Sequence, residues 1–292
     1  KGAWINLHGC HSEEQKEVCV PLLRTFARSN MQSPEPNMMA RELVGRTELV
    51  VKQLRKGCLQ ECLGCEAKSE FAVTDPSGTR LFYLSEKSSC LIRLCCASIR
   101  PWMTTLTLGG EAAGGEPLVI YERPFRCHPG PMKCCCYQQL SAKDARTGAV
   151  LGSVVETLYC CVPQMAVLDA AGVRTHFIHQ PTCCAGMCVS MFDINGGGCC
   201  KVPFKMYPDP AYWGASASPE PVGKIVKVWG GWSREILTDA DTFAMSAPAG
   251  ASSEQIAVMV GATLLINELF FESYQAGNTG EGREAGVSNS ML

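Results

Sequence analysis

The chain has 292 residues, 46% of them hydrophobic and 18% charged, with a formal net charge of −2. That is enough apolar material for one large domain or two ordinary ones, and too little positive charge for a bulk grip on nucleic acid or anionic lipid, so no nucleic-acid partner is expected. Nineteen cysteines, an odd number with adjacent pairs such as Cys95-Cys96 and Cys199-Cys200, do not make the spaced framework of a small secreted domain. With no secretory signal near the start, they predict an intracellular reducing compartment and mostly free thiols.

In chain order, residues 1–40 read as an arm and linker that end in Ser33-Pro-Glu-Pro-Asn37. An amphipathic helix is predicted over 41–66, because Leu43, Val50, Leu54, Cys58 and Cys62 share one face at helical spacing. From 67 onward the texture is that of short strands. Three segments repeat one pattern, in which an apolar run meets Asp, a few turn residues, Gly and another apolar run. They centre on Asp75 to Gly78, Asp144 to Gly148 and Asp169 to Gly172. Asp bonds its own backbone and Gly accepts positive φ, so each predicts a hairpin. Trp102–Leu108 and Leu118–Arg123 predict a fourth, and Val189–Ile194 and Lys224–Trp229 add strands. The stretch 202–222 carries five prolines, Tyr207, Tyr212 and Trp213, and is expected to be an inserted loop whose three aromatics either contact a protein partner or fold back on the barrel.

Ser252 with Gln255 is a capping-box start for a helix over 253–272. From Ile256 to Ile266 that helix is apolar at every phase, and Asn267 and Glu268 then interrupt it. An all-apolar helix lies in lipid or inside protein. The run is shorter than the roughly 20 residues that a bilayer requires, so a wrapping by protein is expected. Many antiparallel strands and one greasy helix have one economical arrangement, a closed β-barrel of about 12 strands around the helix. Residues 273–292 form a polar tail that would order only against a partner.

Several clusters could carry chemistry. Cys134-Cys135-Cys136 is a poor single metal site, since neighbouring side chains of an extended chain diverge; it suits acylation, which anchors a protein stably once two chains are attached, the alternative being that these cysteines are small buried hydrophobes. Cys58, Cys62 and Cys65 have the best zinc-like spacing, though a fourth ligand must come from elsewhere. Asp239 and Asp241 open a stretch like a calcium loop, but Phe243, Ala244 and Gly250 stand where such a loop needs an oxygen ligand, Gly and a carboxylate; a turn leading into the helix is the alternative. His176 and His179, three apart in a strand, face opposite ways. No nucleophile elbow, HExxH or P-loop occurs, and no conventional catalytic site is expected.

Taken together, Ser98-Ile-Arg-Pro101, Glu122-Arg-Pro-Phe-Arg-Cys127, the cysteine cluster after it, Gly223-Lys-Ile-Val-Lys-Val-Trp229, Thr238-Asp-Ala-Asp-Thr-Phe243 and Phe270-Phe271-Glu272 resemble the phospholipid scramblases over about residues 41–272. The resemblance implies a tubby-like barrel around a C-terminal helix. It implies membrane association through palmitoyl groups on Cys134, Cys135 and Cys136, a calcium site at Asp239 and Asp241, and movement of phospholipids between leaflets. The inner face of the plasma membrane or a mitochondrial membrane is the expected location. The alternative is a non-catalytic accessory or adaptor subunit of a larger membrane-bound, mitochondrial assembly, gripped through the arm, the 202–222 loop and the tail.

Overall fold

The computed structural model describes residues 37–54, 69–89, 100–109, 115–126, 136–158, 164–180, 182–183, 188–189, 201–209, 220–228 and 241–272. A short helix, α1 (Met38–Leu43), buries Met39 and Leu43. It stops where Gly45 takes φ 75°, with Val44 N–H donating to Ala40 O and Arg46 N–H to Leu43 O. The chain then runs extended as β1 (Glu48–Leu54), with Leu49 and Val51 buried between exposed Glu48 and Lys52. The helix expected over 41–66 is therefore corrected. Glu48-Leu-Val-Val-Lys satisfies a period of two as well as one of 3.6, and barrel pairing on both sides decides for the strand. Cys58, Cys62 and Cys65 lie outside the described residues.

Thirteen further strands follow among the described residues: β2 (Glu70–Thr74), β3 (Arg80–Lys87), β4 (Trp102–Leu108), β5 (Pro117–Arg123), β6 (Gln139–Asp144), β7 (Val150–Glu156), β8 (Gln164–Asp169), β9 (Arg174–His179), β10 (Thr182–Cys183), β11 (Cys188–Val189), β12 (Lys201–Pro208), β13 (Gly223–Val228) and β14 (Thr242–Ser246). All but β10 and β11, which pair with each other, close into one barrel ordered β1-β14-β13-β12-β9-β8-β7-β6-β5-β4-β3-β2. Closure is made by the first and last described strands, β1 and β14, from Glu48 opposite Ser246 to Lys52 opposite Thr242.

The hairpins at the three Asp-to-Gly turns form as expected. Asp75 Oδ1 accepts from Thr79 N–H at 2.9 Å; Asp144 Oδ1 accepts from Arg146 and Thr147 N–H at 3.0 and 2.7 Å; Asp169 Oδ1 accepts from Ala171 and Val173 N–H at 2.9 Å each. Gly78, Gly148 and Gly172 have φ of 90°, 71° and 78°. One carboxylate thus organises each turn, and one glycine lets the chain reverse.

The barrel is filled by α2 (Ser253–Asn267), which continues as a π-helical turn, Glu268–Glu272. The capping box is complete: Gln255 N–H donates to Ser252 Oγ at 3.3 Å and Ser252 N–H to Gln255 Oε1 at 2.9 Å. Every residue from Ile256 to Leu269 is buried. By length and composition α2 with its π turn could cross a membrane; here strand side chains surround it instead of lipid. Fit is close at two glycines. A Cβ on Gly261 would meet Leu140 Cδ2 at 2.7 Å and the Tyr121 ring at 3.1 Å, and one on Gly152 would meet Val258 Cγ2 at 2.7 Å.

The loop expected at 202–222 is also corrected at its start, because Lys201–Pro208 is a barrel strand. Proline lacks the N–H that a ladder uses. Pro203 pairs with β13, opposite Val226, before β9 pairing begins at Lys205; Pro208 pairs with β9, opposite His176, after β13 pairing ends at Met206. Each proline sits where only one neighbour needs the strand.

Candidate functional site

The polar groups inside the barrel gather where α2 ends. Glu268 follows the apolar run after Asn267 and points at two guanidinium groups carried by the wall. Arg100 Nη1 lies 3.0 Å and Arg123 Nη1 3.2 Å from its Oε1. Arg123, the last residue of β5, is the largest fully buried side chain among the described residues; its Nη2 donates to Gln138 Oε1 at 2.7 Å. Arg100 Nε also lies 3.5 Å from Glu86 Oε1 on β3, and Glu86 Oε2 accepts from Ser69 N–H at 3.1 Å. Gln138 N–H donates to Glu156 Oε2 at 3.0 Å. Glu86 and Glu268 thus balance Arg100 and Arg123 in a cluster removed from water, as a buried charge requires. A cavity of about the size of one water adjoins it, lined by Ser69, Phe71, Glu86, Trp102, Thr104, Leu264, Asn267 and Glu268. A phospholipid head group does not fit there. The cluster holds the helix end.

Beside it the π turn is gripped by aromatic rings. Phe270 stacks on Phe204 with centroids 5.9 Å apart, and Phe271 lies 5.6 Å from Phe243. Lys227 Nζ sits 4.0 Å above the Phe271 ring and 2.7 Å from Asp241 Oδ1. At the other end of the helix Tyr121 Oη donates to Ala257 O at 3.0 Å, and burial pushes its phenol well above the ordinary range.

The structure treats the expected site residues unequally. Asp241 is buried and paired with Lys227, while Thr242–Ser246 after it form β14; the described part of that segment offers a cation one carboxylate, already engaged. Asp239 lies outside the described residues. So do Cys134 and Cys135. Cys136 is disulfide-bonded, unlike the free thiol expected, and in that state its sulfur is closed to acylation. Tyr207 belongs to β12 and stacks on His179 at 4.7 Å, whereas Tyr212 and Trp213 lie outside the described residues. His176 and His179 are on β9 at odd spacing, and among the described residues no three His, Cys, Asp or Glu side chains are grouped to hold a metal ion.

Sequence reasoning missed the ionic cluster. Its signal was present: Glu268 interrupts an apolar helix, and Arg100 and Arg123 border apolar strands.

The motif fragments around Arg100, Arg123 and Glu268, far apart in sequence, thus meet at one place. A family model described as Scramblase matches residues 28–196 and 212–273. The chain belongs to the scramblase family. Among curated proteins this scramblase-family chain is similar to human phospholipid scramblase 1, with 27% identity over 83% of this chain and 70% of that protein. It is similar to rat phospholipid scramblase 1, with 28% identity over 88% of this chain and 69% of the relative. Human phospholipid scramblase family member 5 is 25% identical over 81% of this chain and 78% of its own length. No solved structure matches.

Proposed function

We propose that this scramblase-family protein sits on a bilayer and promotes movement of phospholipids between leaflets from the outside of its barrel. The observation that carries this reading is the closed lumen. Ile256, Ala257, Val260, Leu265 and Ile266 are fully buried within the ring. A polar head group travelling there would meet apolar side chains, at a cost like that of hydrocarbon itself. Family membership supports phospholipids as the substrate class, and the filled barrel directs attention to the outer surface. Acyl chains on Cys134 and Cys135 would hold that surface at the bilayer, each buried methylene contributing about 0.8 kcal/mol; Cys136 would join them once reduced. Calcium at Asp241 would have to displace Lys227.

The test uses the full chain in liposomes carrying a leaflet-sensitive fluorescent phospholipid, in calcium and in chelator. Acceleration over empty liposomes is expected in both conditions. No acceleration in either would overturn the reading.

The closed lumen also suits a non-catalytic accessory subunit, since a barrel without a conduit is a rigid platform. In that case, deleting 210–219, which spares β12, is expected to release the protein from its membrane assembly while its melting temperature holds. Unchanged co-purification would remove this alternative.

A further inference from the structure

Side chains alternate along β12. Phe204 and Met206 are buried in the core, so Lys205 and Tyr207 face outward. The register sets Lys205 directly opposite Lys224 on β13, and opposite His179 on β9. Residues so opposed have Cβ atoms about 5 Å apart, and like charges there repel. Three other wall cations have carboxylate partners, Lys143 with Glu122, Arg174 with Asp209 and Lys227 with Asp241, while Lys52 and Lys87 stand singly on β1 and β3. Lys205 and Lys224 have no carboxylate partner among the described residues. Ser246 follows Lys224 in the row, and Glu48 comes only one strand later.

Two further observations mark the same spot. Val222 is 40% exposed, and its N–H donates to Met206 O, which places it beside Tyr207. Charge and apolar surface are therefore adjacent. His179, stacked on Tyr207, is held below its ordinary pKa by burial and by the nearby Lys205, so it is neutral at pH 7 and leaves the two ammonium groups as the cations of the row.

We propose that Lys205 and Lys224, flanked by Val222 and Tyr207, form the surface by which the barrel docks on an anionic bilayer. The ammonium groups meet lipid phosphates and carboxylates, while Val222 and the Tyr207 ring sit at head-group depth. A chain of net charge −2 gains no attraction from its bulk, so attraction must be focal. Nucleic acid would require more basic contacts than two, and a free phosphate would gain nothing from Val222. The proposal rests on the membrane-surface reading above.

The test is co-sedimentation of the unacylated full chain with vesicles of phosphatidylcholine alone or with added phosphatidylserine. Each lysine near an anionic surface contributes about fivefold in binding, so Lys205→Glu/Lys224→Glu is expected to lower partitioning onto the anionic vesicles at least about 25-fold. Lys205→Arg/Lys224→Arg should bind like the parent. Lys87→Glu/Arg146→Glu changes net charge equally at exposed positions on β3 and the β6–β7 turn, and should shift binding less than about twofold. Single Lys205→Glu turns repulsion into a cross-strand ion pair, so it should melt higher yet bind more weakly, which separates docking from folding. Equal loss in both double variants, or none in the Lys205/Lys224 pair, would overturn the proposal. So would vesicle binding competed by inorganic phosphate but not by chloride of equal ionic strength. Binding without lipid movement would leave this surface standing and remove the transport reading. Undiminished binding in the variant, with lipid movement intact, would remove this surface alone.

Discussion

Glu268 is the residue on which the inside of the barrel turns. An apolar helix has no preferred face, so apolar packing alone says little about its rotation or depth. Glu268 supplies that information by requiring Arg100 and Arg123 at 3.0 and 3.2 Å. Removing one partner of a buried ion pair leaves the other charges desolvated without compensation, which costs about 3–5 kcal/mol. Glu268→Leu is therefore expected to destabilise the protein by about that amount in urea denaturation, despite adding apolar surface. Replacing all of Glu86, Arg100, Arg123 and Glu268 with apolar residues should cost less than the single change, because no orphaned charge remains. A single change that is the milder of the two would show that the cluster is not acting as a closed ionic unit.

At the scale of the element, α2 is tuned for closeness. Gly261 lowers helix propensity by about 1 kcal/mol relative to Ala, yet a Cβ there would meet Leu140 at 2.7 Å and the Tyr121 ring at 3.1 Å. Leu140 can turn its terminus aside, but Tyr121 is tethered to Ala257 O. A branched residue meets both neighbours and gains little propensity. Gly261→Val is expected to destabilise by about 1–3 kcal/mol, the usual cost of overfilling a core, read as a lower melting temperature. The same scale shows what could be read beforehand. The Asp-to-Gly hairpins and the Ser252 cap were legible because their hydrogen bonds close within a few residues. The ring was legible because the helix needed a sheath. β1 was misread since seven residues with Leu49, Val50, Val51 and Leu54 fit two periodicities. Pro203 and Pro208 misled because the register that excuses them depends on where β9 and β13 begin. The Arg100–Glu268 and Arg123–Glu268 contacts span 168 and 145 residues; the local pattern marks each charge as out of place in apolar surroundings but does not say that the three meet.

At the scale of the molecule, one seam decides closure. β1 covers the edges of both β14 and β2. Removing Glu48–Leu54 would uncover two long edges at once, and open edges recruit other chains. Such a truncated chain is expected to elute as aggregate in size-exclusion chromatography, where the intact protein elutes as a discrete species. A discrete, soluble truncated form would show that the remaining strands reseal.

The helix that fills the ring is encoded after every strand of the barrel. While the polypeptide leaves the ribosome, the twelve barrel strands emerge before the rod they must enclose, so the nascent wall has nothing to close upon until Ser253–Asn267 has followed them. A hollow, greasy intermediate of that length invites chaperones. Any premature stop codon upstream of Ser253 would therefore erase the whole fold rather than shorten it.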